Sequence, residues 1–94
     1  MRREPFARRR VVVTGLGCVT PVGSSVETAW SALLAGASGV GAIESFDTTD
    51  FPVRFAGTVK ESVDVGDLSP KEVRRLDRFL LLALAAARQA LEDA

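Results

Sequence analysis

The pattern of hydrophobic and polar positions divides the chain into two predicted strands and two predicted helices. Residues 10–14 are rich in β-branched side chains without alternation, which favours a strand covered on both faces, as in an α/β fold. Three glycines and a proline within residues 15–23 then predict a loop. Residues 55–59 form a second short run that favours a strand, whereas residues 36–53 are typical of a loop.

The first predicted helix begins at Ser24. Ser24 and Glu27 have the spacing of a capping box, in which the two side chains bind free backbone N–H groups and contribute about 1 kcal/mol. Gly36 favours a left-handed stop at the other end. The apolar side chains between these two ends share one stripe of the helix: Val26, Ala29, Trp30, Leu33 and Leu34.

The second predicted helix has Ser69 at its cap, Pro70 at its first position and Glu72 at its third. Its apolar side chains keep helical spacing, and no glycine, asparagine or proline stops the helix before Ala94: Val73, Leu76, Leu80, Leu84, Ala87 and Leu91.

Residues 79–87 of this helix are apolar on every side, so they require neighbours on every side. Each large side chain removed from water there contributes about 1.5–3 kcal/mol. One other helix and two short strands cannot enclose such a helix. We therefore expect residues 10–94 to be the truncated start of a larger domain.

Composition and charge narrow the function classes. The 94 residues are 47% hydrophobic and carry 12 basic and 12 acidic side chains, which disfavours both disorder and nucleic acid as the main partner. The chain has no histidine and one cysteine. These counts exclude a histidine-based catalytic triad, a structural zinc site and an internal disulfide within the chain, and they fit a reducing, cytoplasmic location.

Neither a membrane span nor a targeting signal is expected. The longest uncharged apolar run has nine residues, against the roughly 20 that cross a bilayer. Five of the first ten residues are arginine, a composition also found in transit peptides, but Glu4 and Pro5 interrupt the run and no apolar signal core follows. Residues 1–9 are therefore interpreted as a flexible basic leader.

Two features of the first loop suggest chemistry. Gly15 and Gly17 follow a predicted strand, as in dinucleotide-binding sites, but Thr20 stands where a third small residue belongs and the next helix starts too late to face a pyrophosphate. A tight structural turn is the favoured interpretation. Cys18 has no neighbouring cation or base to stabilise a thiolate, so a packed small residue is favoured over a nucleophile.

A basic stripe lies along the start of the second predicted helix. Its members have the spacing of one helix face, which brings like charges one turn apart: Lys71, Arg74, Arg75 and Arg78. Positive charge near a helix N-terminus also opposes the helix dipole. We expect Glu72 and Asp77 to relieve part of this repulsion. The stripe is either an ordinary solvated face or a docking site for an acidic partner.

Several short segments, taken in combination, carry a resemblance. They are residues 9–17 (RRVVVTGLG), 20–23 (TPVG), 33–36 (LLAG), 38–39 (SG), 46–47 (FD), 55–57 (FAG) and 76–79 (LDRF), with Trp30. From residue 9 to residue 94 the chain resembles the opening of the β-ketoacyl-[acyl-carrier-protein] synthases, and most closely the type II elongating enzymes of fatty-acid synthesis.

The resemblance implies a thiolase-like α/β fold, an αβαβα sandwich with two pseudo-symmetric halves, of which this chain is the N-terminal portion. In this family, which forms dimers, a cysteine accepts an acyl chain and malonyl-carrier protein is decarboxylated to a carbanion that attacks the thioester. Two histidines assist, and neither a metal nor a nucleotide cofactor is needed. None of these catalytic positions falls in this chain, and Cys18 does not match the motif of the nucleophile.

The resemblance also implies a partner. The family's basic residues that bind the acidic acyl carrier protein correspond to Lys71, Arg74 and Arg75, whereas no role transfers to Arg78. Three other functions stay open. They are a non-catalytic paralogue like the chain-length factors, a polyketide ketosynthase with the same chemistry and, as the least favoured, a nucleotide-binding module.

Overall fold

The computed structural model describes residues 8–94, which form three α-helices and one two-stranded antiparallel sheet. In chain order the elements are α1 (Val26–Leu34), β1 (Val40–Ala42), β2 (Phe55–Gly57), α2 (Pro70–Arg75) and α3 (Arg78–Asp93). The described residues thus combine helices and strands. The predicted basic leader, apart from Arg8 and Arg9, lies outside the described residues.

Helix α1 is capped one residue later than predicted. Its N-cap is Ser25, whose Oγ accepts a hydrogen bond from the Thr28 N–H at 3.2 Å, while the Ser25 N–H donates to Thr28 Oγ1 at 3.2 Å. The predicted box of Ser24 and Glu27 is therefore wrong by one residue, because a threonine hydroxyl completes the box as well as a carboxylate does. The left-handed stop is confirmed, since Gly36 has a φ of 75°.

The predicted strand at residues 10–14 is not present. Val11, Val12 and Val13 are 90%, 70% and 78% exposed, and no described segment pairs with them. A strand forms only where a neighbouring backbone satisfies its N–H and C=O groups, so β-branched residues without such a neighbour do not form one.

The second predicted strand is confirmed over Phe55–Gly57. Its partner β1 lies in the region predicted as a loop, and the register pairs Val40 with Gly57 and Ala42 with Phe55. A bond of 3.0 Å from the Ile43 N–H to the Arg54 carbonyl continues this pairing beyond the strands. The sequence of β1 contains no run of β-forming residues, so this strand depends on its partner.

The second predicted helix is two helices. The start at Ser69 is confirmed, but the backbone is extended at Leu76 (φ −99°, ψ 140°) and at Asp77 (φ −68°, ψ 154°). The Asp77 carbonyl then accepts the first hydrogen bonds of α3, from the N–H groups of Leu80 and Leu81 at 3.0 and 3.3 Å. The apolar spacing continues through the break, so periodicity alone predicts one uninterrupted helix.

The core is small. Its buried apolar residues are Ala29 from α1 and Leu81 and Ala85 from α3, at 6%, 8% and 3% exposure. On the other sides of α3, Phe79 and Leu84 are 66% and 41% exposed. The Cα radius of gyration is 18.8 Å, against about 13 Å for a compact domain of 100 residues. The described elements therefore enclose only one side of α3.

Candidate functional site

The candidate site is the exposed surface of α2, and its geometry begins at the cap. Ser69 Oγ accepts a hydrogen bond from the Glu72 N–H at 3.2 Å, and Glu72 Oε1 accepts from the Ser69 hydroxyl and N–H at 3.1 and 3.4 Å. Pro70 occupies the first turn, where its missing N–H costs nothing. These contacts fix the start of a helix that has only six residues.

Three cations project from α2. Lys71, Arg74 and Arg75 are exposed, and none of them belongs to the ion pairs found within residues 8–94, which join Lys60 to Glu44 and Arg88 to Glu92. Because α2 ends at Arg75, both arginines lie in its last turn. The helix dipole there stabilises positive charge. Of these three cations, only Lys71 therefore lies near the helix N-terminus, where the helix dipole disfavours positive charge.

The break between α2 and α3 places Arg78 on a different helix from the other three cations. Arg78 begins α3, and its guanidinium Nη2 donates to the carbonyl of Val59 at 2.9 Å. Val59 lies two residues after the end of β2 in the chain. The structure therefore keeps Lys71, Arg74 and Arg75 on one short helix but does not extend the stripe to Arg78. The carboxylate of Glu72 binds the N-cap and forms no ion pair with these cations within residues 8–94.

Comparison with known proteins places this chain in a family. Residues 8–94 match the family described as beta-ketoacyl synthase, N-terminal domain. The chain belongs to this family. The resemblance inferred from the short segments is thereby confirmed over nearly the whole chain.

Curated relatives agree with this ketoacyl synthase assignment. The chain is 52% identical over 88 residues to 3-oxoacyl-[acyl-carrier-protein] synthase 2 of Vibrio cholerae, an alignment that covers 94% of this chain and 21% of the relative. It is 42% identical over 92 residues to the chloroplastic 3-oxoacyl-[acyl-carrier-protein] synthase II of Arabidopsis thaliana, covering 98% of this chain and 17% of the relative. The chain thus spans about a fifth of the length of the curated relatives it matches.

The glycines of the ketoacyl synthase segment that resembled a nucleotide motif pack against α3. A Cβ atom added to Gly15 would collide with the Ala90 carbonyl oxygen, and one added to Gly17 would collide with that of Ala86. Both glycines therefore serve close backbone packing, but the predicted tight turn is not at these glycines, because the turn of this loop lies at Pro21 and Val22. Cys18 is a partly buried free thiol in the same loop.

The described residues form neither a metal-binding cluster nor a membrane-spanning helix. Within residues 8–94 no three side chains of the metal-binding types cluster closely enough to hold an ion. None of the helices α1–α3 has the length and apolar character needed to cross a bilayer. The α2 surface is a patch of positive charge on a helix of six residues.

Sequence reasoning missed two features of this site. One is the helix break, whose only sequence signal is Asp77, a residue type favoured at N-caps. The other is Val59, whose contribution is a backbone carbonyl and therefore leaves no trace in the sequence. The side chains Lys71, Arg74 and Arg75 were predictable because helical spacing alone brings them together.

Proposed function

We propose that this chain is the N-terminal segment of a 3-oxoacyl-[acyl-carrier-protein] synthase of fatty-acid elongation. The enzyme would lengthen an acyl chain held as a thioester on its cysteine. Malonyl-carrier protein loses CO₂, the resulting carbanion attacks the acyl carbonyl, and the new carbon–carbon bond releases the cysteine thiolate. Family membership over residues 8–94 is the observation that carries this proposal.

Within that enzyme, this segment would supply scaffold and part of the carrier-protein docking surface. The chain contains no histidine, so the two histidines that stabilise the oxyanion would come from elsewhere in the protein. Lys71, Arg74 and Arg75 would bind acidic side chains of acyl carrier protein. Their exposure and their freedom from ion pairs in the described part of the chain support this role.

The proposal includes the larger architecture, a cytoplasmic homodimer of thiolase-like αβαβα subunits. Its physical support is the apolar surface that residues 8–94 leave uncovered. Phe79 and Trp30 are 66% and 61% exposed, and Leu91 is 77% exposed. Apolar surface of this extent in a soluble enzyme is normally covered by further protein. Light scattering of the full-length protein that carries this segment should give twice the subunit mass.

The docking surface is tested by charge reversal in that full-length protein. The double variant Arg74→Glu/Arg75→Glu should weaken binding of holo-acyl carrier protein by about tenfold at low salt, since each lost surface contact is worth roughly 0.5–1 kcal/mol. The effect should shrink as salt rises, because exposed charges are screened within about 8–10 Å. Titration calorimetry at two salt concentrations measures both.

A matched control is Lys60→Glu compared with Arg75→Glu. Both reverse one exposed charge, but Lys60 lies beyond β2 and pairs with Glu44 at 3.5 Å. Binding should fall for Arg75→Glu and stay near the unaltered value for Lys60→Glu. An equal loss in both would assign the effect to net charge and would refute docking at α2.

The activity is tested by incubating the full-length protein with an acyl-carrier protein and malonyl-carrier protein. Release of CO₂ together with a product longer by two carbons supports the proposal. A protein that binds the carrier protein without forming product would instead be a non-catalytic paralogue. The 94-residue chain by itself should form no product, because it has no histidine.

A further inference from the structure

The carboxylate of Glu72 in α2 is bound by the N-cap of the helix. Glu72 is the acidic residue of α2, and it lies between Lys71 and the two arginines. Its Oε1 atom accepts hydrogen bonds from the hydroxyl and the N–H of Ser69, while Ser69 Oγ accepts one from the Glu72 N–H. These three bonds hold the carboxylate at the N-terminal end of the helix.

Without the cap, Glu72 has a partner available. Arg75 follows it by three residues, a spacing at which a carboxylate and a guanidinium are neighbours on a helix surface. The described part of the chain contains a related ion pair between successive turns of a helix, at the spacing i, i+4 and with the arginine first, because Arg88 Nη2 and Glu92 Oε1 lie 3.3 Å apart in α3. The carboxylate of Glu92 is not engaged by a cap, and it pairs with its arginine. The carboxylate of Glu72 is engaged, and Arg75 remains without an ion pair within residues 8–94.

We propose that Ser69 is a positioning residue for the docking surface. Its hydroxyl holds the Glu72 carboxylate away from Arg75 and thereby leaves the guanidinium free for an acidic side chain of the carrier protein. The proposal rests on the proposed function and adds to it the residue that sets the available charge. The helix dipole acts in the same direction, since it favours the carboxylate at the N-terminus and the guanidinium at the C-terminus.

The test is a double-mutant cycle in the full-length protein, read as the affinity for holo-acyl carrier protein at low salt. Ser69→Ala should weaken binding by about twofold. This is the change in affinity expected if Arg75 must first break an ion pair with Glu72 at this spacing on a helix. Ser69→Thr should bind like the unaltered protein, because threonine also caps. In a Glu72→Gln background, Ser69→Ala should have no effect, because no carboxylate is left to pair with Arg75.

A second variant separates positioning from loss of the helix. Ser69→Gly removes the hydroxyl with little loss of helix stability, because glycine is a tolerated N-cap. It should therefore weaken binding about as much as Ser69→Ala does, although it disturbs α2 less. Circular dichroism and the unfolding midpoint of each variant record that disturbance independently of binding.

Three results would overturn the inference. Equal losses for Ser69→Ala with and without the Glu72→Gln substitution would show that the cap only stabilises α2. Unchanged affinity in Ser69→Ala and Ser69→Gly, with Arg75→Glu still weakening binding, would refute the role of Ser69 and leave docking intact. Unchanged affinity in Arg75→Glu would refute docking at α2, and with it this inference.

Discussion

The side chain of Gln89 in α3 binds the backbone of Cys18, which lies 71 residues earlier in the chain. The Cys18 N–H donates to Gln89 Oε1 at 3.1 Å, and Gln89 Nε2 donates to the Ser24 carbonyl at 2.6 Å. One amide therefore joins α3 to the first loop at Cys18 and to the residue that follows this loop, Ser24. Both bonds are partly buried. If the side chain were removed, water would therefore only partly replace the hydrogen bonds that the two backbone groups lose.

The first prediction concerns this amide. Gln89→Glu keeps an acceptor for the Cys18 N–H but replaces the donor that faces the Ser24 carbonyl with a carboxylate oxygen. We expect the free energy of unfolding to fall by about 1–3 kcal/mol, the cost of an unsatisfied buried polar group. Urea denaturation measures it. The control is Glu92→Gln, which removes an exposed ion pair and should change stability by less than about 0.5 kcal/mol. Equal effects would contradict the role of Gln89.

The second prediction concerns the contact of the loop with α3. A Cβ atom on Gly17 would lie 2.7 Å from the Ala90 nitrogen and 2.8 Å from the Gln89 Cβ, so Gly17→Ala must displace the loop or the helix. Overpacking of this kind costs about 1–3 kcal/mol. Gly41→Ala is the control, because its new Cβ would meet only Lys60 Nζ at 3.7 Å. Thermal unfolding should separate the two variants, and equal midpoints would refute the close approach.

The third prediction concerns the pH dependence at Asp47. The Thr49 hydroxyl and the Thr49 N–H both donate to Asp47 Oδ1, and these bonds to the ionised form lower the pKa of Asp47 below its ordinary value of 3.8. Because the folded pKa is the lower one, this carboxylate stabilises the fold above about pH 3.8, and that contribution is lost as the pH falls through the folded pKa.

Thr49→Val should raise the pKa of Asp47 towards its ordinary value, since the hydroxyl bond is the larger cause and only the backbone bond remains. Thr49→Ser keeps a hydroxyl and should leave the pKa low. An NMR titration of the carboxyl carbon reports both values. A low pKa retained in Thr49→Val would assign the shift to the backbone N–H by itself.

The fourth prediction separates Arg78 from the docking surface. Arg78→Gln loses the bond of 2.9 Å to the Val59 carbonyl and should lower stability by about 0.5–1.5 kcal/mol, with little effect on carrier-protein binding. Arg75→Gln should weaken carrier-protein binding and leave stability nearly unchanged, because an exposed residue without such a bond contributes little to stability. Denaturation and calorimetry on the same two variants check this. If Arg78→Gln weakens binding as much as Arg75→Gln, the basic stripe continues through the helix break.

Three local features of this chain were determined by the sequence itself. The cap at Ser69, the left-handed Gly36 and the grouping of Lys71, Arg74 and Arg75 all depend on contacts between residues at most four positions apart. Such contacts form in the same way wherever the segment lies, so side-chain type and spacing were enough to predict them.

The tertiary structure decided the features that need a distant partner. Residues 10–14 have the composition of a strand but form none, because no described backbone lies beside them, whereas β1 forms with little propensity because β2 does lie beside it. The division of the second predicted helix placed Arg78 against Val59 and left three cations together on α2. Backbone hydrogen bonds across long sequence separations depend on which segments meet in space, and the identity of the residues carries no record of that.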